Sequence, residues 1–175
     1  MKAQMHQKKV QASETTITQF VLPNDTNTLN NLRGGQLLHW MDLAAAISAQ
    51  KHANSIVVTV AVDHVSFDKP IRLGDVVTIK ASLTRAFKSS MEIFMEVWAD
   101  NIPGNTHEKS NEAYFTFVAI DERGKPIPVP VVVPESEEEH KRYNDALTRR
   151  EIRLVLAGRL KPENAAGIQK WLQSK

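Results

Sequence analysis

One helix-like segment limits the possible folds of this chain more than any other feature. Residues 36–52 combine strong helix formers with apolar side chains on nearly every face, namely Leu37, Leu38, Trp40, Met41, Leu43, Ala44, Ala45, Ala46, Ile47 and Ala49. A helix that is apolar on almost all faces is unstable on a protein surface, so we expect other structure to wrap it.

A carboxylate, Asp42, stands in the middle of this apolar segment. Burying a carboxylate costs free energy unless the group is paired or hydrogen-bonded. Two interpretations are open from the residues alone. Asp42 either faces solvent or bonds to a neighbour such as His39, or it is a functional group.

Segments with the composition of β-strands flank the helix. Residues 14–22 precede it, and residues 55–67, 75–87, 91–101 and 111–120 follow it, separated by turn-forming residues. An antiparallel sheet of these strands can curve around the helix and bury it, which predicts an α+β fold. One sheet leaves its edges and part of the helix uncovered, so we expect two copies to pair.

The chain is expected to divide into three parts. Residues 1–13 form a polar segment, residues 14–130 form the main domain, and residues 131–175 form a proline-rich connection and a helical tail. Four prolines in residues 126–134 exclude a central strand, so this run should be extended and peripheral. A helix is predicted over residues 135–160, with a second, shorter helix after it.

Composition excludes several classes of function. The 175 residues contain no cysteine, so no disulfide framework and no thiol nucleophile can be built. The formal charge of +2 argues against nucleic-acid binding, and the six histidines lack the spacing of a metal site. A polar start and the lack of a run of about 20 apolar residues predict a soluble, cytoplasmic protein without a membrane span.

A glycine pair, Gly34-Gly35, immediately precedes the helix-forming segment. Because glycine has no side chain, a ligand can approach the backbone N–H groups at the helix start. The partial positive charge of a helix N-terminus favours an oxyanion there. By itself, however, a glycine pair before a helix is a weak signal.

Motifs before, within and after the helix form an ordered set: Asp25-Thr26-Asn27, Asn31-Leu32-Arg33-Gly34-Gly35, Trp40-Met41-Asp42, Val58-Thr59-Val60, Val65-Ser66-Phe67 with Pro70, Leu73-Gly74-Asp75-Val76-Val77, and Glu96-Val97-Trp98. This set resembles the signature of the hotdog-fold acyl-CoA hydrolases, the group of the brain-type and YciA-like enzymes. The resemblance covers roughly residues 16–130, and the joint occurrence is far more specific than any one motif. It implies the hotdog fold, followed here by a C-terminal helical extension.

The resemblance also implies a catalytic arrangement that needs no metal and no cofactor beyond the coenzyme A of the substrate. Asp42 would act on the thioester as general base or nucleophile, and backbone N–H groups near Gly35 and Gln36 would polarise its carbonyl. Asn31, from the partner subunit of a dimer, would orient the water or the substrate. A dimer is then the minimal active unit, a hexamer of three dimers is expected, and a monomer should be inactive.

Coenzyme A binding is expected at Gly34 and at a polar turn after the strand predicted over residues 75–87. Cations and hydroxyls of this turn suit phosphate oxygens, and the candidates are Arg85, Lys88, Ser89 and Ser90. An ordinary polar hairpin turn is the alternative interpretation.

Two positions depart from the family pattern. Asn30 stands where relatives often have glycine, and because asparagine accepts a positive φ more readily than most residues, we expect the turn to survive. Arg33 stands where an aromatic residue or histidine is common, and it either lies near the acyl thioester or points to solvent.

Two other functions fit parts of the sequence. A dehydratase or hydratase on the same fold would need a histidine paired with an acid, and only His39 is near Asp42 in the sequence. A non-catalytic acyl-CoA sensor would use the helical tail to bind another protein. The resemblance favours hydrolysis of acyl-CoA to a fatty acid and CoA.

Overall fold

A computed structural model describes residues 7–63, 65, 67 and 69–173 of the chain. The chain divides into two compact units, Met1–Val133 and Pro134–Lys175. Parts of three sequence predictions lie outside the described residues: positions 1–6 of the polar segment, His64 and Ser66 of a predicted strand, and positions 174–175 of the tail.

A five-stranded antiparallel sheet dominates the first unit. Its strands are β2 (Thr15–Phe20), β3 (Ile56–Asp63), β4 (Val76–Ala86), β5 (Ser90–Asn101) and β6 (Thr106–Ile120). They lie in the order β2-β4-β5-β6-β3, which makes β2 and β3 the edge strands. The five strands predicted from the sequence are present, and β6 begins five residues earlier than predicted.

Helix α1 (Gly34–Ala53) packs across this sheet and contacts four of its strands most closely, β4, β3, β5 and β2. Its buried side chains include Leu37, Trp40, Met41, Ala44 and Ala45. Full burial of a large apolar side chain stabilises a fold by about 1.5–3 kcal/mol, so the helix and the concave face of the sheet depend on each other. The expected wrapping of an apolar helix by an antiparallel sheet is confirmed.

One face of α1 stays uncovered in the protomer. Leu43 and Ile47 are 44% and 40% exposed. The neighbouring edge strand β3 also exposes large apolar side chains, those of Ile56, Val58, Val60 and Val62. We call these six residues the apolar edge, and an edge strand of this kind is a ready template for pairing with another chain.

The two ends of the first unit meet in a second, smaller sheet. Strand β1 (Gln7–Lys9) pairs in parallel with β7 (Val131–Val133). The proline-rich run is extended and lies outside the main sheet, as predicted, although the side chains of Val129 and Val132 are buried. Prolines lack an N–H, yet the residues between and after them still donate, as the Val129 N–H does to the Lys88 carbonyl.

The second unit contains helices α2 (Glu137–Leu156) and α3 (Ala166–Gln173). Ser136 caps α2, because its hydroxyl accepts the Glu139 N–H at 3.1 Å while the Glu139 side chain reaches back to the Ser136 N–H. Helix α2 ends four residues before the predicted boundary, since Gly158 adopts a left-handed φ of 67°. Among the described residues, no helix is both long enough and apolar enough to cross a membrane.

The last turn of α1 is fixed to both ends of the unit. His52 is fully buried, and its Nε2 lies 2.9 Å from the Pro130 carbonyl oxygen. Lys8 Nζ donates to the carbonyls of Lys51 and His52. Burial lowers the pKa of His52 below its ordinary 6.5, the bond to Pro130 raises it by less, and the nearby Lys8 charge lowers it further.

We predict that the free energy of unfolding decreases as the pH falls below about 6.5. With a lowered pKa in the folded state, His52 takes up its proton more readily in the unfolded chain, so acid favours unfolding by at most about 1.4 kcal/mol per pH unit. His52→Gln keeps a side-chain amide for Pro130 but does not titrate, so its stability should fall less steeply. Urea unfolding at pH 5.5 and 7.5 measures the free energy of unfolding, and the variant of an exposed histidine, His39→Gln, is the control. The same loss of unfolding free energy between the two pH values in the parent and in His52→Gln would contradict the prediction.

Candidate active site

The loop before α1 is ordered by side-chain bonds to its own backbone. Asn27 Oδ1 accepts the N–H groups of Leu29 and Asn31 at 2.9 and 3.1 Å, and the Asn27 N–H donates to the Asn31 carbonyl. Asp25 Oδ2 accepts the Leu22 N–H at 3.0 Å. Asparagine and aspartate stabilise turns in this way, so the polar composition of the loop gives it one defined shape.

Backbone bonds hold this loop against the connection between β3 and β4. The Leu32 N–H donates to the Ile71 carbonyl, and the Leu73 N–H donates to the Asn30 carbonyl. Asn30 has a φ of 58°, so the asparagine adopts the positive φ expected from the sequence. Arg33 is exposed, in agreement with the prediction that it points to solvent, and its guanidinium also donates to the carbonyls of Asn24 and Asp25 and so ties the loop together.

Helix α1 begins directly after this loop. A Cβ on Gly34 would lie 3.2 Å from the ring of Phe67, so this position favours glycine. The Gln36 N–H donates to the Arg33 carbonyl at 3.0 Å. In the described part of the chain, the N–H groups of Gly34 and Gly35 have no acceptor, as expected for the first residues of a helix. These two amides are therefore available to a ligand.

Asp42 lies two turns further along α1 and is half-buried. Its Oδ1 accepts a hydrogen bond of 2.8 Å from the hydroxyl of Thr59, on edge strand β3. His39, the neighbour considered from the sequence, is exposed and makes no such bond to Asp42 in the described structure. Asp42 is thus held at the apolar edge, beside the uncovered face of the helix.

The two parts of the predicted site lie apart within one protomer. Asp42 is the seventh residue after Gly35, and an α-helix rises 1.5 Å per residue, so the two residues lie about 10 Å apart along the helix axis. A thioester carbonyl within hydrogen-bond distance of the amides at the helix start is out of reach of Asp42 in the same chain. Asn31 belongs to the loop at the helix start, on the far side of this gap.

The predicted CoA-binding turn lies at the opposite end of the sheet from Gly34. Ser90 pairs with Val118, next to the Ile56–Ile120 pair where β3 begins, just after the C-terminus of α1. Lys88 is exposed, and Arg85 lies over the ring of Phe87 at 5.4 Å. Within one protomer, the turn and the helix start are therefore separated by the length of the sheet.

A cavity of about 330 Å³ opens beside the start of α1. Gly34 and Asn111 line it, together with Leu32, Leu37, Phe67, Lys69, Pro70 and Ile71. A second cavity of about 430 Å³ shares Lys69 and Pro70 with it and continues toward Arg72 and Thr106. Asn111 is buried, and its Nδ2 has no hydrogen-bond partner within the described residues, a condition that costs about 1–3 kcal/mol.

Sequence reasoning did not single out Thr59, Asn27 or Asn111 as site residues. Thr59 belonged to a quoted motif, but only the register of β3 against α1 brings it to Asp42. Asn27 lies in an Asn-rich segment whose composition predicts a turn but does not by itself indicate a catalytic residue. Asn111 had a readable signal, because it is the polar member of an alternating series with Ala113, Phe115 and Phe117.

Comparison with known proteins finds relatives over most of the chain. The sequence profile of the Thioesterase superfamily matches residues 29–103. YkhA of Bacillus subtilis, named an uncharacterized acyl-CoA thioester hydrolase, is 42% identical over 137 residues, 78% of this chain and 80% of that protein. The cytosolic acyl coenzyme A thioester hydrolase of Rattus norvegicus is 36% identical over 142 residues, which is 80% of this chain but only 37% of the rat protein.

Solved structures agree in fold and sequence. A hexameric acyl-CoA thioesterase in its apo form has a TM-score of 0.84 and 39% identity, over 87% of this chain and 97% of that one. The acyl-CoA hydrolase of Staphylococcus aureus, solved with butyryl coenzyme A, coenzyme A and coenzyme A disulfide, has a TM-score of 0.80 and 37% identity, over 87% and 94% of the two chains. Variants of that enzyme with one aspartate, asparagine or threonine changed to alanine are also solved. The sequence profile, the shared fold and the extent of identity together assign this chain to the hotdog-fold thioesterase superfamily, among the acyl-CoA thioester hydrolases.

Proposed function

We propose that this protein hydrolyses acyl-CoA thioesters to a carboxylic acid and free CoA. The observation that carries the proposal is the Asp42 carboxylate, held by the Thr59 hydroxyl on the uncovered face of an otherwise apolar helix. The bond to Thr59 uses one oxygen of this carboxylate and leaves the second available to a substrate or a water molecule. Family membership supplies the substrate class, since the relatives named above are acyl-CoA thioester hydrolases.

Asp42 acts on the thioester as general base or nucleophile. As a base it takes a proton from water, the hydroxide oxygen bonds to the carbonyl carbon, the C–S bond breaks and the proton passes to the thiolate of CoA. As a nucleophile it forms an anhydride with the acyl group, releases the CoA thiolate, and water then cleaves the anhydride. In both routes Thr59 fixes the orientation of the carboxylate.

The variants of the Staphylococcus aureus enzyme support these roles. The asparagine changed in that enzyme lies 15 residues before the changed aspartate, and the changed threonine lies 17 residues after it. Asn27, Asp42 and Thr59 have the same spacing in this chain. This correspondence favours Asn27 beside the Asn31 expected from the resemblance, and both belong to the loop at the start of α1.

We propose that the complete site forms between two protomers. The amides of Gly34 and Gly35 lie about 10 Å from Asp42 along the same helix, so a thioester needs the helix start of a second copy. The apolar edge provides the surface for that copy, because it surrounds Thr59 and leaves large apolar side chains exposed. Of the two predicted donors, Gly35 keeps a free N–H for the carbonyl, whereas the Gln36 N–H already donates to the Arg33 carbonyl, so Gly34 takes its place beside Gly35.

Antiparallel pairing along β3 would also explain the distant CoA candidates. A two-fold axis beside an edge strand brings one end of a sheet next to the opposite end of its partner. Arg85, Lys88, Ser89 and Ser90 of one protomer would then approach Gly34 of the other. The family includes hexameric thioesterases, and we propose three such dimers as the assembly of this chain and the cytoplasm as its location, after the name of the rat relative.

Asp42→Asn is expected to lower kcat for acyl-CoA hydrolysis by a factor of about 10² to 10⁴, because an amide can neither accept the proton nor attack the carbonyl. Thr59 can still bond to the amide oxygen, so the fold should be retained. Release of free thiol from a panel of acyl-CoA substrates measures the effect. The parent rate in a folded variant would refute the role, and tight binding without thiol release by the parent protein would favour a sensor.

Complementation tests the shared site. Asp42→Asn and Asn27→Ala proteins should each be nearly inactive, but in a mixed dimer one of the two sites combines only unchanged residues. Random one-to-one assembly after joint refolding should therefore restore about a quarter of the parent activity. A parallel mixture with Asn31→Ala shows which asparagine the site needs. No recovery in either mixture, with mixed dimers present, would place the whole site in one chain.

Lys88→Gln is expected to raise the KM for acyl-CoA about two- to fivefold at low salt without changing kcat, since an exposed cation contributes modestly to phosphate binding. The difference from the parent should shrink as the salt concentration rises. Lys80→Gln, which removes an exposed charge from the middle of β4, is the control. A KM equal to that of the control at all salt concentrations would remove Lys88 from the CoA site.

A further inference from the structure

The helix-facing row of β6 contains one amide among apolar side chains. Ala113, Phe115, Phe117 and Ala119 are each at most 1% exposed and alternate along the strand. Asn111 continues this row, is 3% exposed, and pairs with the buried Val97 of β5. Because alternate residues of a strand share a face, Asn111 lies on the face of the sheet that covers α1.

Among the described residues, the Asn111 side chain makes one hydrogen bond through its oxygen atom and none through its NH2 group. Its Oδ1 accepts a hydrogen bond of 2.6 Å from the Ser110 hydroxyl. Its Nδ2 is buried and has no acceptor within the part of the chain that the structure describes. An apolar side chain of similar size would avoid the cost of this unpaired donor, so the amide is favourable only when another molecule accepts its hydrogens.

The surroundings of Asn111 indicate which molecule that is. Asn111 lines the cavity of about 330 Å³ that Gly34 also lines, so the cavity lies beside the start of α1. Its remaining walls are mainly apolar, from Leu32, Leu37, Phe67, Pro70 and Ile71. A thioester whose carbonyl binds at Gly34 and Gly35 must direct either its acyl chain or its pantetheine arm into this space.

We propose that Asn111 is a specificity-determining residue whose side-chain N–H groups bind an oxygen atom of the acyl-CoA in this cavity. The acceptor is a carbonyl or hydroxyl oxygen, supplied by an oxygen-substituted acyl chain or by the nearest pantetheine amide. The inference rests on the proposed hydrolase function and adds a contact remote from the Asp42 carboxylate.

Asn111→Leu separates this role from a structural one. Leucine has a similar volume and removes the unpaired donor, and the Ser110 hydroxyl keeps a second acceptor in the Lys69 carbonyl at 3.3 Å. The melting temperature should therefore be unchanged or higher, while kcat/KM falls about tenfold. A loss of equal size for butyryl-CoA and 3-hydroxybutyryl-CoA identifies the pantetheine oxygen, and a loss confined to the hydroxylated substrate identifies the acyl oxygen.

Thr116→Val is the matched control. Thr116 is also a buried residue of β6 whose hydroxyl has no partner among the described residues, but it does not line the cavity. The valine variant should match Asn111→Leu in stability and the parent in kcat/KM. Asn111→Ala provides a second test if leucine disturbs the packing.

The inference is overturned if kcat/KM of folded Asn111→Leu and Asn111→Ala equals that of the parent for both substrates, since an ordered water then suffices as the acceptor. It is also overturned if Thr116→Val loses as much activity as Asn111→Leu. Binding of a non-hydrolysable thioether analogue of butyryl-CoA, and of its 3-hydroxy derivative, measures the same contact without turnover. A parent protein that binds the analogues but releases no thiol would therefore refute the hydrolase function alone, and weaker analogue binding by Asn111→Leu would still support the contact.

Discussion

The rest of the structure depends on the burial of helix α1 by the curved sheet. A helix with so many apolar side chains is stable only when covered, and packing against the five-stranded sheet buries most of them, while Leu43 and Ile47 stay exposed. The ordered loop before the helix, the C-terminal cap at Asn54 and the pairing of β1 with β7 all fix where this helix begins and ends. Packing thus determines the position of each candidate functional group.

The uncovered face of α1 is also where its one acidic side chain meets the sheet. Asp42 reaches the edge strand and not the interior, so its charge is hydrogen-bonded by Thr59 without the full cost of burial. The same geometry separates Asp42 from the amides at the helix start by more than a hydrogen bond can span. Stability of the protomer and incompleteness of its site therefore have one cause, which is a single helix covered by a single sheet.

The sequence was sufficient to predict the elements that follow from periodicity and turn chemistry. The apolar helix, the five strands of the main sheet and the left-handed turn at Asn30 are of this kind, and Asp42 could be selected because a carboxylate is rare in such a helix. The bond from Thr59 depends on strand register, and the pairing of β1 with β7 joins segments more than a hundred residues apart, so neither is encoded in a local pattern. The separation between the Lys88 turn and Gly34 is determined by the length and pairing of the strands, which the composition of each strand does not predict.

The pairing of Gln7 with Val131 has a consequence for how the chain acquires its structure during synthesis. Strand β1 cannot pair until β7 has left the ribosome, and β7 follows every strand of the main sheet in the chain. Closing the long loop between β1 and β7 is also slow. Until then the carbonyl of Pro130 cannot reach His52, and the end of α1 lacks part of its final environment. The contacts that fix the end of α1 are therefore completed only after residues 130–133 have been synthesised, when the chain already contains all five strands of the main sheet.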